Sequence, residues 1–224
     1  MLKKINLLIN LTNTPLGAKI NIATERFTFM IKAIIGPMFG SKSSRLIDIA
    51  LDLEKEGKKF KVFFPASCNK LDGYIYSREK DKKIKAIKVF DISDLYNNVN
   101  DCEIILLDEF TFMCTSQYID EFMSFLDAMD ERNIDVILAG LQLDYMGKSF
   151  DLTERVLPYC DEIVTTSAIC EHCGKPASRQ IRKIDGVIDT MENTPTLIME
   201  NENVVYIPLC RSCFRKLTGL TAIK

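Results

Sequence analysis

Two C-x-x-C pairs, Cys170 with Cys173 and Cys210 with Cys213, constrain this chain more than anything else in its sequence. Two such turns can present four thiolates as a tetrahedron to Zn²⁺. The residues between them must then leave the cluster and return to it, so residues 169–224 are expected to form a small zinc-binding unit of their own. Four cysteine ligands leave no open coordination position, which marks a structural rather than a catalytic metal site. Disulfides or reduced core cysteines are the competing readings. His172, the single histidine of the chain, is read as a solvated residue of the first knuckle. Its isolation removes most histidine-dependent chemistry. The scattered Cys68, Cys102, Cys114 and Cys160 read as reduced thiols.

Upstream of residue 169 the pattern alternates between strand and helix. "FTFMIKAII" (27–35) is apolar and β-rich. After it, Leu46, Ile47, Ile49, Ala50 and Leu53 recur at helical spacing, with Gly57 as the C-cap. "KKFKVFFP" (58–65), "EIILLDEF" (103–110), "DVILAG" (135–140) and "EIVTTSA" (162–168) read as further strands. Tyr118, Phe122, Phe125, Leu126 and Met129 form a second helical stripe. Residues 66–83 are polar and irregular, with a turn signal at Asp72-Gly73. Alternation of this kind predicts a parallel sheet flanked by helices on both faces over residues 27–168. Residues 1–26 precede it as an extension. Lys3 and Lys4 ahead of "INLLINL" resemble a weak signal sequence, but asparagines interrupt the apolar run and no clean cleavage site follows.

The 224 residues carry a formal net charge of −2, and total charge therefore gives no reason to expect a nucleic-acid or membrane partner. The lysines between 80 and 88 interleave with acids and apolar residues, as on a solvated face. No apolar run reaches the ~18 residues of a membrane span. A soluble cytoplasmic protein is the expectation.

"GPMFGSKSS" (36–44) joins the first strand to the first helix. A glycine-rich turn in that context aims backbone N–H groups at an anion. Gly36, Lys42 and Ser43 fit the G-x-x-x-x-G-K-[ST] pattern, in which the lysine reaches the β- and γ-phosphates and the hydroxyl serves Mg²⁺. The second glycine is displaced: Gly40 stands one residue early and Ser41 holds its place. A Cβ there can obstruct the loop's backbone geometry. Asp108-Glu109 closes the strand "EIILLDEF". One acid is suited to Mg²⁺ and the other to general base work.

These motifs together resemble the zinc-containing thymidine kinase family. "GPMFGSKSS" is similar to its G-P-M-F-S-G-K-S-T loop, and "LLDEFTF" to its I-D-E-x-Q-F segment. "AGLQLDYMGKSF" (139–150) resembles A-G-L-D-x-D-F-x-G-x-x-F. "CEHCGKPASRQIR" and "YIPLCRSCF" resemble the two knuckles. The resemblance implies a P-loop, RecA-like sheet with a zinc-ribbon-like C-terminal unit whose lasso loop covers the nucleoside. The activity it implies is Mg²⁺-dependent transfer of the γ-phosphate of ATP to the 5′-hydroxyl of thymidine, in deoxynucleoside salvage. Deoxyuridine is a further candidate substrate. Gly36, Met38, Gly40, Ser41, Lys42, Ser43, Ser44 and Asp108 would hold ATP and Mg²⁺, and Glu109 would take the 5′-hydroxyl proton. Met38, Phe112, Leu141, Tyr145, Phe150 and Tyr206 would line the nucleoside pocket. Cys170, Cys173, Cys210 and Cys213 would hold Zn²⁺. Homotetramers and inhibition by thymidine triphosphate belong to the same implication.

The chain departs from the family pattern at several places. Ser41 replaces a loop glycine, Thr111 a glutamine, Gln142 an aspartate and Tyr145 a phenylalanine. "ASCNKLDGY" lacks the family's D-x-R-Y arginine, whereas Ser77-Arg78 matches a later pair. "LIMENENVVY" lacks a glycine before its tyrosine. The alternative to an active enzyme is a catalytically impaired homologue that keeps nucleotide or partner binding. Restoring the family order at positions 40 and 41 together is predicted to strengthen ATP binding.

Overall fold

The computed structural model describes residues 30–68, 73–77, 82–191, 195–196, 198 and 201–220. The extension 1–26, the start of the first strand, Asp72 of the turn signal and Arg78 lie outside the described residues.

Strand β1 (Ile31–Gly36) leads through the glycine loop into helix α1 (Lys42–Lys55). Gly57 follows α1 at φ 68°, the left-handed conformation that a helix-ending glycine supplies. Then come β2 (Phe60–Pro65), the hairpin of β3 (Tyr74–Tyr76) and β4 (Lys83–Lys85), β5 (Ile87–Val89) and α2 (Ile92–Asn98). Next are β6 (Ile104–Asp108), α3 (Ile119–Glu131), β7 (Asp135–Leu141), α4 (Asp151–Val156) and β8 (Glu162–Thr165). The six-stranded sheet has the order β5-β2-β6-β7-β1-β8, and every neighbouring pair is parallel. β7 separates the strand that feeds the glycine loop from the strand that ends in Asp108, as in a RecA-like sheet.

Side chains alternate across these strands, so each strand feeds two cores. Ile31, Ala33 and Ile35 of β1, Ile105 and Leu107 of β6, and Val136 and Leu138 of β7 meet Leu95 of α2, Phe122, Phe125 and Met129 of α3, and Val156 of α4. Ile34, Leu106, Ile137 and Ala139 point the other way, onto Leu46, Ile47 and Ala50 of α1 and Ile75 of the hairpin. Burial on both faces explains why these strands read as unbroken apolar runs.

Two expectations need correction. Part of the stretch read as irregular is the β3–β4 hairpin, which packs Ile75 under α1. The run 162–168 is split: β8 ends at Thr165, and β9 (Ala168–Ile169) already belongs to the next unit. There β9 pairs with β10 (Pro176–Ala177), and β11 (Arg179–Ile184) lies between β12 (Val187–Ile188) and β13 (Val204–Leu209), all antiparallel. Helix α5 (Arg211–Thr218) follows β13 and packs Phe214 against Ile181 and Leu209. Among the described residues, no helix is long and apolar enough to cross a membrane.

Candidate active site and cysteine cluster

The glycine loop turns over a tight floor. Gly40 N–H donates to Pro37 O at 3.2 Å, and Lys42 Nζ reaches back to the same carbonyl at 2.7 Å. Thr166, just beyond β8, donates to Ile35 O through its N–H (2.7 Å) and its hydroxyl (3.2 Å). That places Thr166 against the loop: a Cβ on Gly36 would lie 2.1 Å from Thr166 Oγ1, and one on Gly40 2.8 Å from it. Ser41 has φ 57°, in the left-handed region where a side chain is strained, and its hydroxyl does not cap α1. The glycine preference at position 41 is therefore visible in the backbone. Gly40 is also needed where it stands, because its Cβ would lie 3.0 Å from Pro37 O as well. Of the two positions, Ser41 is the one with left-handed backbone and Gly40 the one where an added Cβ is crowded.

Ser43, in the first turn of α1, donates its hydroxyl to both carboxylate oxygens of Asp108, at 3.1 and 2.9 Å. Asp108 is buried at the carboxyl end of β6, where an open parallel sheet presents ligands. Ser44 shares a 2.7 Å hydrogen bond with Ser77 of the hairpin. Glu109 follows Asp108 with φ 54° and stays half-buried. Gly36, Met38, Gly40, Ser41, Lys42, Ser43, Ser44, Asp108 and Glu109 thus lie at the carboxyl end of the sheet. Two hydroxyl and carboxylate oxygen donors side by side suit a hard divalent cation such as Mg²⁺.

The residues expected to line a nucleoside pocket fall into two groups. The Phe112 and Phe150 rings meet edge to face at 5.4 Å and line a cleft of about 920 Å³, together with Thr111, Asp144 and Thr196 among others. Burial pushes the Asp144 carboxyl above the usual carboxylate range, against hydrogen bonds from the backbone of Lys148, Met146 and Gly147. Met38, Tyr145 and Tyr206 instead pack together with Met146 and Val204. Leu141 ends β7, where Thr111 and Thr153 pin its main chain: Leu141 N–H donates to Thr111 Oγ1 at 2.9 Å, and Thr153 Oγ1 donates to Leu141 O at 3.0 Å.

Sequence reading missed Gln180 and Arg182, both almost wholly buried in β11. Met38 N–H in the phosphate loop donates to Gln180 Oε1 at 3.3 Å, while Gln180 Nε2 donates to Leu143 O. The C-terminal unit therefore contacts the glycine loop directly. A buried polar pair in one strand could have been noticed as Gln and Arg alternating with apolar Ile181. A solvated edge strand gives the same pattern.

The four cysteines converge. Their sulfurs all lie within 4.8 Å of one another, and Cys173 Sγ is 3.7 Å from Cys210 Sγ. A tetrahedron with ~2.3 Å metal–sulfur bonds has sulfurs about 3.8 Å apart, so the set fits Zn²⁺. Burial raises the Cys170 thiol, but N–H groups of Cys210, Cys173 and His172 outweigh it and bring it down to about 6. Burial and bonds to the other three sulfurs push Cys213 up to about 12. Holding all four sulfurs at this spacing as thiolates would take a cation. Exposed His172 places Nδ1 3.5 Å from Cys213 Sγ, beside the set and not in it. Burial pushes the Cys114 and Cys160 thiols up to about 11.

Residues 29–214 match the profile of the family described as thymidine kinase. The chain belongs to the thymidine kinase family. A thymidine kinase from Mycoplasmoides gallisepticum is 30% identical over 183 residues, 81% of this chain and 79% of that protein. Among solved structures, a DNA replication initiation factor aligns with TM-score 0.39 at 16% identity, over 62% of this chain and 40% of its own length. AMPPCP-bound DnaA from Aquifex aeolicus aligns with TM-score 0.37 at 15% identity, over 63% and 41%. This chain thus spans well under half of those two structures, and likenesses so distant carry no functional weight. The matched residues take in both the glycine loop and the four cysteines.

The contact with Thr166 generates a stability prediction. Gly36→Ala is expected to cost about 1–3 kcal/mol in urea unfolding, the range for an added group in a filled site. Adding Thr166→Ala should recover part of the loss and not all of it, because Thr166 O would still lie 2.8 Å from the new Cβ.

Proposed function

We propose that this chain transfers the γ-phosphate of ATP to the 5′-hydroxyl of thymidine, as an Mg²⁺-dependent enzyme of deoxynucleoside salvage. The observation that carries the reading is the Ser43–Asp108 pair beside the phosphate loop, with Glu109 the next residue along. The loop N–H groups and Lys42 bind the phosphates of ATP. Ser43 and Asp108 would hold Mg²⁺, which when bound supplies neutralisation of charge on the phosphates. Glu109 accepts the 5′-hydroxyl proton as the oxygen attacks the γ-phosphorus and the bond to the β-phosphate oxygen breaks, releasing ADP. Phe112, Leu141, Tyr145, Phe150, Met38 and Tyr206 supply apolar surface for the nucleoside. Cys170, Cys173, Cys210 and Cys213 hold one Zn²⁺ that closes the C-terminal unit. A cytoplasmic homotetramer inhibited by thymidine triphosphate, with residues 27–168 and 169–224 as its domains, belongs to the same reading. It is supported by the family resemblance.

The left-handed backbone of Ser41 favours a second reading, an impaired homologue that retains nucleotide or partner binding. A panel of nucleosides with ATP and Mg²⁺ separates the two: phosphorylation of thymidine above the other nucleosides supports the first, and ATP binding without transfer to any nucleoside supports the second.

Three outcomes follow for the enzyme. Glu109→Gln is expected to lower kcat by on the order of 10²–10⁴-fold with ATP binding retained, and comparable kcat would remove Glu109 as the base. Ser41→Gly alone relieves a strain of ~1–2 kcal/mol and should tighten ATP binding by roughly five- to thirtyfold, as read by calorimetry. An unchanged dissociation constant would mean that the loop is already competent. Metal analysis of protein prepared without chelator should return one zinc per chain, and a Cys213→Ser variant should return less than half of that. Zinc-free wild type would overturn the cluster's assignment.

A further inference from the structure

Arg182 is the largest fully buried side chain of the described residues. Taking a guanidinium out of water costs several kcal/mol unless its charge and donors are met. Here they are met on every side. Nε and Nη2 donate to Asp189 Oδ2 at 2.9 and 2.6 Å, and Nη1 donates to Pro195 O at 2.6 Å. The guanidinium carbon lies 3.7 Å from the centre of the Tyr145 ring, a cation–π contact. Tyr206 stands directly opposite Arg182 in the β11–β13 pairing.

Those two aromatic neighbours are the residues assigned above to the nucleoside pocket, and each is tied down again by its own hydroxyl. Tyr145 OH donates to Met191 O at 2.8 Å, and Tyr206 OH donates to Ile198 O at 3.0 Å. Asp189 completes the circuit, its N–H donating to Arg182 O at 2.9 Å and its second carboxylate oxygen accepting from Met191 N–H at 3.0 Å. The position calls for arginine because only a planar fork can give one carboxylate oxygen two N–H bonds, reach a carbonyl and stack on a ring at once. The hydroxyl of Tyr145 stands where the family pattern has phenylalanine, so the tie to Met191 is an addition in this chain.

We propose that Arg182, held by Asp189, is a positioning residue for the nucleoside site, fixing the Tyr145 and Tyr206 rings without touching the reacting atoms. The inference rests on the nucleoside reading given above. It separates two effects that a general structural role would join: loss of Arg182 should weaken the nucleoside side of the site and spare the phosphate loop.

The test compares wild type, Arg182→Lys and Asp189→Asn in zinc-loaded full-length protein. KM is measured for thymidine and for ATP, with calorimetric thymidine binding, zinc content and the thermal midpoint recorded in parallel. Lysine keeps the charge and loses the fork. Arg182→Lys is expected to raise the thymidine KM and dissociation constant about tenfold, the scale of one lost charge-assisted bond, with the ATP KM within about twofold of wild type and zinc retained. Should Arg182→Lys not fold, Asp189→Asn decides: it is expected to give the same split in smaller measure. Both KM values rising together, or an unchanged thymidine KM alongside a lowered thermal midpoint, would overturn the proposal. A wild type that neither binds nor phosphorylates thymidine removes the nucleoside reading and this inference with it. A wild type that does, with no split in the variants, removes this inference alone.

Discussion

Thr166 leaves no room for a side chain at the mouth of β1. Its main-chain and hydroxyl donors both bind Ile35 O, which fixes it against the end of that strand. The chain must therefore leave the sheet through a glycine, and the turn that follows folds back onto Pro37 O through Gly40 and Lys42. From that turn α1 starts, Ser43 comes within hydrogen-bond reach of Asp108 two strands away in the sheet, and Ser44 meets the hairpin. One packed contact thus sets the backbone path, and the path sets which side chains face one another across the edge of the sheet.

β11 does comparable work for the other side of the site. Gln180 and Arg182 point into the molecule, where polar side chains are stable only with every bond made. Their partners are the phosphate loop at Met38 and the residues around Tyr145. The same strand pairs along its whole length with β13, where Gln180 lies opposite Pro208, and β13 delivers Cys210 to the cysteine cluster. The cysteine cluster and the glycine loop are therefore joined through β11 and β13 by backbone pairing and one side-chain bond.

The sheet was legible because its strands are buried on both faces and its first turn carries glycines and a lysine at fixed offsets. The cysteine cluster was legible because thiolate pairs at this spacing have few other uses. β5 escaped notice because three residues at a sheet edge carry no period. α2 escaped too, although Asp91 caps it by accepting from Asp94 N–H at 2.9 Å, a signal present in the letters D-I-S-D. Arg182 was the harder case. A charged residue in the run R-Q-I-R-K-I reads as facing water, and only the β11–β12 turn, which brings Asp189 beside it, reverses that reading. The exchange of Gly40 and Ser41 was visible as a departure, but its meaning was not. The Thr166 contact adds that a Cβ at Gly40 would be crowded.

The long reach of the pairings has a consequence for synthesis on the ribosome. β1 needs β7 and β8 as its neighbours, so the phosphate loop has no complete floor until residues past 165 have emerged. Cys210 and Cys213 are made later still, after every strand of the parallel sheet. Domains that emerge first tend to fold first. The nascent chain would then pass through an interval in which the sheet is formed while Cys170 and Cys173 wait for the second half of their cluster. A thiolate pair exposed for that interval can take up a metal or an oxidant before its partners arrive, so the redox state and zinc supply of the compartment bear on how much of the newly made chain matures.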